Sequence, residues 1–102
     1  MSRIDVFRDM VAKNPENHPA RFGLANEAMK LGLHAEAVEH LEAYLARHDD
    51  EGNGWGRLAE ALLALGRTDA ARDALRRGIE ASHRFGHPSM ASDFEARLEE
   101  IE

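Results

Sequence analysis

The sequence predicts an all-α fold, a stack of antiparallel helical hairpins with about six helices. Apolar residues recur at spacings of three and four along nearly the whole chain of 102 residues, and no stretch alternates as a strand does. The chain also repeats itself after thirty-four residues, a period typical of stacked helical units that cannot bury their apolar faces alone. The repeat matches Leu24 with Leu58, Ala25 with Ala59, Ala28 with Leu62, Leu31 with Leu65, Gly32 with Gly66, Ala37 with Ala71, and Leu41 with Leu75.

The first helix is expected to end at Asn14, because the ring of Pro15 disfavours helix at the residue before it. Its apolar stripe consists of Ile4, Phe7, Met10 and Val11. The second helix should span about residues 18–31, with Asn17 as its N-cap and Gly32 as the left-handed residue that ends it.

The third helix should span about residues 34–48, and the fourth should begin near Asn53 and run to Gly66. Residues 18–51 would then form one repeat and residues 52–85 a second. The third helix should turn Ala37, Leu41, Tyr44 and Leu45 inward, and the fourth Trp55, Leu58, Ala59, Leu62 and Leu65.

Thr68 is expected to cap the fifth helix, which should bury Ala71, Ala74, Leu75, Gly78 and Ile79 and end near Gly86. The last helix, about residues 88–101, follows the pattern at an offset of thirty-six rather than thirty-four. At that offset Leu58, Leu62 and Leu65 match Phe94, Leu98 and Ile101, which indicates an insertion of two residues near residues 84–87. In the other direction, Leu41, Tyr44 and Leu45 match Phe7, Met10 and Val11, so residues 3–15 are the second half of an incomplete repeat.

Composition restricts the classes of function. Thirteen basic and nineteen acidic residues give a net charge of -6, which repels nucleic acid and anionic membranes, so we expect neither as a partner. The sequence has no cysteine, which excludes disulfides and thiol chemistry and fits a reducing cytoplasm. No apolar segment is typical of a signal peptide or a membrane span. We expect one cytoplasmic domain over residues 1–102.

The spacing of these residues resembles the tetratricopeptide repeat. Most of that family's signature is present in Trp55, Leu58, Ala59, Leu62, Gly66, Ala71 and Leu75. The resemblance covers about residues 3–101 and implies a right-handed superhelical stack that acts as an interaction scaffold for a protein or peptide, not as an enzyme. The sequence departs from the family pattern at Arg21, where the second repeat has Trp55, and at Gly78, a position that is ordinarily Ala.

The resemblance also implies a concave groove lined by the first helix of each pair. The residues that it places there, and that we predict to contact a partner, are Phe22, Asn26, Met29, Lys30, Arg57, Glu60, Leu63, Ser92 and Asp93. One subgroup of the family clamps the C-terminal carboxylates of chaperones, but here only Asn26 matches, with Phe22, Arg57, Ser92 and Asp93 at the other clamp positions. We therefore do not expect that activity. Phe22 with Met29 could instead hold an apolar side chain, while Lys30 and Arg57 pair with a carboxylate or carbonyl of the partner.

Two alternatives come from other features. An open N-terminal end that exposes Ile4, Phe7 or Met10 would favour self-association or docking within a larger assembly. His40 and His48, with Tyr44 between them, suggest a metal-binding module, although a zinc site usually needs a third ligand, and solvated histidines are the favoured interpretation.

Catalysis has little support, and we expect neither a cofactor nor a resident metal. Ser82 and His83 are adjacent, and neighbours in a helix point in different directions, so they cannot form a nucleophile and base pair.

Three charged or glycine-rich segments receive structural interpretations. Residues 52–56 resemble a phosphate loop but lack the preceding strand, so we interpret their three glycines as a flexible turn and helix start. Residues 49–51 are interpreted as a solvated acidic loop. The five arginines at positions 67, 72, 76, 77 and 84 alternate with Asp69, Asp73 and Glu80, which favours local ion pairs over a site for an acidic partner.

Overall fold

A computed structural model of the chain describes residues 1–101, and in that range all regular structure is helical. Six helices follow one another along the chain, as the repeat predicts. They are α1 (Arg3–Lys13), α2 (His18–Lys30), α3 (His34–Arg47), α4 (Asn53–Ala64), α5 (Thr68–Arg84) and α6 (Pro88–Ile101).

The helices stack in chain order. Each packs against the helix before it and the helix after it, and α2 also touches α4 across the hairpin that separates them. This arrangement gives an elongated body of 40 × 28 × 18 Å. Contacts made mainly between successive helices are typical of a helical solenoid.

The core consists of the residues that repeat. Leu24, Leu41 and Leu75 are among the largest fully buried side chains. Ala25 and Ala59 are buried beside them, and a small residue allows paired helices to approach closely. The thirty-four-residue period therefore identified the centre of the core correctly.

The ends of the helices match the sequence predictions at α2 but not at α5. The side chain of Asn17 accepts a 3.2 Å hydrogen bond from the backbone N–H of Ala20, and Gly32 has φ +75°. The N-cap of α5, however, is Arg67, and no side chain caps that helix. The prediction for Thr68 is wrong because the backbone of Arg67 joins the end of α4 to the start of α5. Its N–H donates to the carbonyl of Leu62, and its own carbonyl accepts a hydrogen bond from the N–H of Ala71.

Helix α1 buries a narrower stripe than predicted. Ile4 and Val11 are buried, and the ring of Phe7 lies against Gly23, where an added Cβ would be 2.7 Å from the ring. Met10 is 39% exposed, contrary to the prediction that it belongs to the buried stripe. The reason is that α1, at the end of the stack, packs mainly against α2.

Helix α6 joins the stack through Phe94, which is buried as the offset of thirty-six predicts. Helix α5 has 17 residues and α3 has 14, so the extra residues lengthen α5. The ring of Phe94 occupies the space above two glycines: a Cβ on Gly56 would lie 2.7 Å from it, and a Cβ on Gly78 would lie 3.0 Å from it. This contact explains why Gly78 stands where the family ordinarily has Ala.

Candidate functional site

Two adjacent cavities form a groove along α2, α4 and α6, which we call the α2–α4–α6 groove. The first cavity, about 390 Å³, is lined by Asn26, Met29, Lys30, His34, Arg57 and Glu60. The second, about 310 Å³, is lined by Asn53, Gly56, Arg57, Glu60, Met90, Asp93, Phe94 and Arg97. Because Arg57 and Glu60 line both cavities, the two form one continuous surface.

Six of the nine residues predicted for the groove line it: Asn26, Met29, Lys30, Arg57, Glu60 and Asp93. Leu63 packs against the core instead, and Ser92 is exposed outside both cavities. Phe22 stacks on Tyr44, with 5.2 Å between the ring centroids, and lines a different cavity from Met29. The structure thus does not bring Phe22 and Met29 together around one apolar side chain.

The sequence prediction missed Arg97 in this groove. Arg97 follows Asp93 by four residues, and residues four apart share a helix face, so the spacing contained the signal. Its guanidinium carbon lies 5.5 Å from the centroid of the Phe94 ring. Arg97 adds a third cation to Lys30 and Arg57.

The charges of the groove alternate in sign. Arg57 lies 3.7 Å from Glu60, and both side chains are more than half exposed. Lys30 lies 3.5 Å from Glu27. An exposed pair such as Arg57 with Glu60 contributes between about 0 and 1 kcal/mol, so a partner can displace it at little cost. The groove therefore offers both donors and acceptors to a bound segment.

The loop before α4 is organised by a buried carboxylate that the sequence analysis treated as solvated. Asp50 is only 6% exposed. Its Oδ1 accepts hydrogen bonds from the N–H groups of Gly52 and Gly54, each at 2.8 Å, and its Oδ2 accepts one from the Tyr44 hydroxyl at 3.1 Å. Burial, followed by the charge of Asp50, raises the pKa of Tyr44 to about 12. An Asp two residues before a Gly at a helix start was the available signal.

The glycines of residues 52–56 are packing positions, which corrects their interpretation as a flexible turn. Gly52 has φ +138° and is buried. A Cβ there would lie 2.6 Å from the sulfur of Met90 and 2.6 Å from Oγ of Ser82. Ser82 itself is fully buried and donates to the carbonyl of Gly78 at 2.7 Å. The start of α4 thus fits tightly against α5 and α6.

The histidines face separate partners. His40 lies 3.7 Å from Glu36 and 3.4 Å from Arg21, and burial lowers its pKa. His48 instead stacks on Tyr44, with 4.8 Å between the ring centroids. Within residues 1–101 no group of three His, Cys, Asp or Glu side chains is placed to hold a metal ion. The arrangement gives no support to a metal site built on His40 and His48.

The arginines of α5 form local ion pairs, as predicted. Arg72 lies 2.6 Å from Asp69, and Arg77 lies 3.1 Å from Asp73. Arg77 also stacks over Trp55, with its guanidinium carbon 5.5 Å from the ring centroid. These residues lie outside the groove, and Arg77 and Trp55 line a separate cavity of about 570 Å³ between α3 and α5.

The N-terminal end of the stack exposes fewer apolar residues than predicted. Ile4 is buried and Phe7 packs against the core, contrary to the expectation that they lie open. The large apolar side chains that α1 exposes are Val6, at 45%, and Met10. At the other end, the exposed residues of α6 are mostly polar.

None of the described helices is both long enough and apolar enough to cross a membrane.

The stack and its groove define a helical-repeat solenoid with a polar, mixed-charge surface along its first helices. The chain belongs to the tetratricopeptide repeat family, whose sequence pattern matches residues 2–82. Tetratricopeptide repeats generally mediate protein–protein interaction, and the fold is typically a non-enzymatic scaffold.

Among solved structures, the chain is similar to the solution structure of a protein from Bordetella parapertussis. The two superpose with a TM-score of 0.82 and 22% identity, over 99% of this chain and 88% of that one. At this identity the likeness shows the fold alone. No curated protein sequence matches the chain.

Proposed function

We propose that this protein is an interaction scaffold that binds a segment of a partner protein in the α2–α4–α6 groove. The observation that carries the proposal is the continuity of the two cavities through Arg57 and Glu60. A segment lying across them would meet Lys30 on one side and Asp93 on the other. We infer that it is a polar segment carrying both signs of charge, because the groove presents both.

The division of the chain follows the same proposal. Residues 18–51 and 52–85 are two full repeats, residues 3–15 are a half-repeat, and residues 88–101 are a capping helix. The polar outer side of α6 supports its role as a cap, since terminal repeats of a solenoid need a polar outer face. We place the protein in the cytoplasm, a proposal supported by the lack of cysteine.

To test this proposal, the full chain is used as bait to select binding peptides from a displayed random library. One selected peptide is then titrated into the isotope-labelled protein. We expect the backbone NMR signals of Asn26, Lys30, Arg57, Glu60 and Asp93 to shift together. Arg57→Glu should weaken binding by about tenfold or more, because it reverses a charge at the junction of the two cavities.

The matched control is Arg67→Glu, the same charge reversal at an exposed position before α5 and outside the groove. Affinity unchanged by Arg57→Glu, or shifts confined to α3 and α5, would overturn the groove assignment.

Self-association is the second candidate, and Val6 and Met10 on α1 are the observation in its favour. A stable dimer usually buries about 800 Å² on each partner, which two partly exposed side chains alone do not supply. Light scattering over a concentration series decides the matter. A molar mass that rises with concentration, and that Val6→Ser with Met10→Ser abolishes, would support self-association, whereas a constant monomer mass would exclude it.

A further inference from the structure

Another cavity, of about 310 Å³, adjoins the α2–α4–α6 groove and shares Asn53 with it. We call it the aromatic cavity. The residues of its wall that matter here are Phe22, Tyr44, His48, Asp50, Glu51 and Phe85. None of the groove residues predicted from the sequence, other than Phe22, lies in it.

Three rings of the aromatic cavity stack on one another, and the middle one, Tyr44, is buried between Phe22 and His48. The centroids of Phe22 and Tyr44 are 5.2 Å apart, and those of Tyr44 and His48 are 4.8 Å apart, with the ring planes inclined by 39° and 34°. Phe85 is 42% exposed on the same cavity, and the guanidinium carbon of Arg84 lies 5.5 Å from the centroid of its ring. Aromatic faces carry partial negative charge and attract cations, most strongly where water is partly excluded.

The carboxylates of the cavity give it a negative field. The donors to Asp50 are two backbone N–H groups and a hydroxyl, all neutral, and within the described part of the chain no ion pair involves it. Glu51 lies 3.0 Å from His87, which is charged only when protonated. Burial raises the pKa of Tyr44 to about 12, and the charges of Asp50 and Glu51 add to that rise.

We propose that the aromatic cavity binds the guanidinium group of an arginine in the partner segment. The guanidinium would stack on the exposed ring of His48 and pair with the carboxylate of Glu51. Asp49 does not serve this purpose, because Arg84 already holds it at 2.6 Å. The inference rests on the proposed function, since the groove would deliver the arginine past Asn53.

Arginine suits this cavity better than lysine for two reasons. Its planar group stacks on aromatic faces, and its fork of donors matches a carboxylate in two places. An ammonium group is smaller, more strongly hydrated, and lacks a flat face.

The test uses the full chain and three capped tripeptides, Gly-Arg-Gly, Gly-Lys-Gly and Gly-citrulline-Gly, titrated at neutral pH with detection by NMR. Citrulline has the shape of arginine without its charge. We expect saturable shifts of the signals of His48, Glu51, Asn53 and Phe85 with the arginine peptide, and affinity about tenfold lower with citrulline. The lysine peptide should bind more weakly than the arginine peptide.

Glu51→Gln should lower the affinity for the arginine peptide by about threefold or more. The control variant, Glu99→Gln, makes the same change at an exposed position of α6 outside this cavity and should leave its affinity unchanged. Both positions are on the surface, so folding is retained. Equal affinity for arginine and citrulline, or shifts at Lys30 and Arg57 without shifts at His48, would overturn the inference.

The outcomes separate this inference from the proposed function. Selected peptides that bind the groove, with no preference of the aromatic cavity for arginine over citrulline, would overturn the inference alone. Saturable binding of the arginine peptide in a protein whose groove binds none of the selected peptides would overturn the proposed function and support an arginine site.

Discussion

The hydroxyl of Tyr44 donates a 3.1 Å hydrogen bond to the buried carboxylate of Asp50, across a separation of six residues. Tyr44 belongs to α3, and Asp50 lies in the loop that leads into α4. The same carboxylate accepts the N–H groups of Gly52 and Gly54. One side chain thus links the end of α3 to the start of α4, and it lines the cavities on both sides of that junction.

Asp50→Ala should therefore be strongly destabilising. The substitution leaves two backbone N–H groups and the Tyr44 hydroxyl without their acceptor, which should lower the free energy of unfolding by about 2–4 kcal/mol. Denaturation in urea measures the loss. Asp49→Ala, one residue away at an exposed position, is the control and should cost less than about 1 kcal/mol.

Tyr44→Phe isolates one of these hydrogen bonds. We expect a loss of about 1–2 kcal/mol in the free energy of unfolding, because the change removes a donor to a charged acceptor and leaves the ring stacked on Phe22. Combined with Asp50→Ala, the two losses should not add, since each removes the same bond. Additive losses would show that Tyr44 and Asp50 are not coupled.

Gly56→Ala should destabilise the protein although alanine favours helix. The new Cβ would lie 2.7 Å from the ring of Phe94, and relieving that overlap should outweigh the helical gain and leave a net loss of about 1–3 kcal/mol. The measurement is thermal unfolding followed by circular dichroism. Phe94→Leu in the same chain should cancel part of the loss, and a stabilised Gly56→Ala variant would contradict the packing argument.

The pair formed by Arg8 and Glu36 predicts a loss of stability in acid. Arg8 holds Glu36 through two hydrogen bonds, of 2.9 and 2.7 Å, which join α1 to α3 and lower the pKa of Glu36. Because the pKa is lower in the folded state, the stabilisation is present above the ordinary value of 4.5 and is lost as the pH falls below it.

Glu36→Gln should remove this stabilisation, about 1 kcal/mol at neutral pH, and should differ little from the unmodified protein once Glu36 is protonated. Urea denaturation at several pH values measures it. Glu42→Gln, an exposed residue of the same helix, should not change the acid profile. A Glu36→Gln deficit that is equally large in acid would contradict the assignment to charge.

His40 predicts a second pH dependence at higher pH. Burial is the largest influence on its pKa and lowers it below the ordinary value of 6.5, so the folded state favours the neutral ring. The stabilisation is complete above pH 6.5 and decreases as the pH falls towards the folded-state pKa, since the unfolded chain then binds the proton more readily.

His40→Gln should flatten the profile of unfolding free energy between about pH 5 and pH 7. His83→Gln, at an exposed position of α5, serves as the control and should leave the slope unchanged. A slope that persists in His40→Gln would assign the dependence to another histidine.

The repeat predicted the parts of the fold that depend on local pattern and on burial. Leu24, Leu41 and Leu75 were identified because a period of thirty-four leaves apolar side chains on one face of each helix. The six predicted residues that line the groove came from the resemblance to the tetratricopeptide repeat, not from the periodicity itself. Thr68 was misassigned as the N-cap because α5 begins at the backbone carbonyl of Arg67, which accepts the N–H of Ala71, and no side chain caps the helix.

The turn before α4 and the aromatic cavity could not be predicted in this way. Asp50 lies in a run of acidic residues whose composition is typical of a solvated loop, and its burial depends on Tyr44 six residues earlier. Phe22 of α2 and Phe85, the residue that follows α5, line the same cavity although they are distant in sequence. Contacts of this kind depend on how the hairpins stack, which no periodicity encodes.

Because Phe94 packs against Gly56 and Gly78, the two terminal helices differ in how they are attached to the stack. Helix α6 is held by a buried ring that reaches both α4 and α5, whereas α1 packs against α2 and reaches α3 through the ion pair of Arg8 with Glu36. Local opening should therefore begin at the amino-terminal end, and amide hydrogens should exchange with solvent fastest in α1 and more slowly towards α4 and α5. Unfolding would begin at the amino-terminal end only, so the aromatic cavity and the α2–α4–α6 groove would stay intact while α1 detaches.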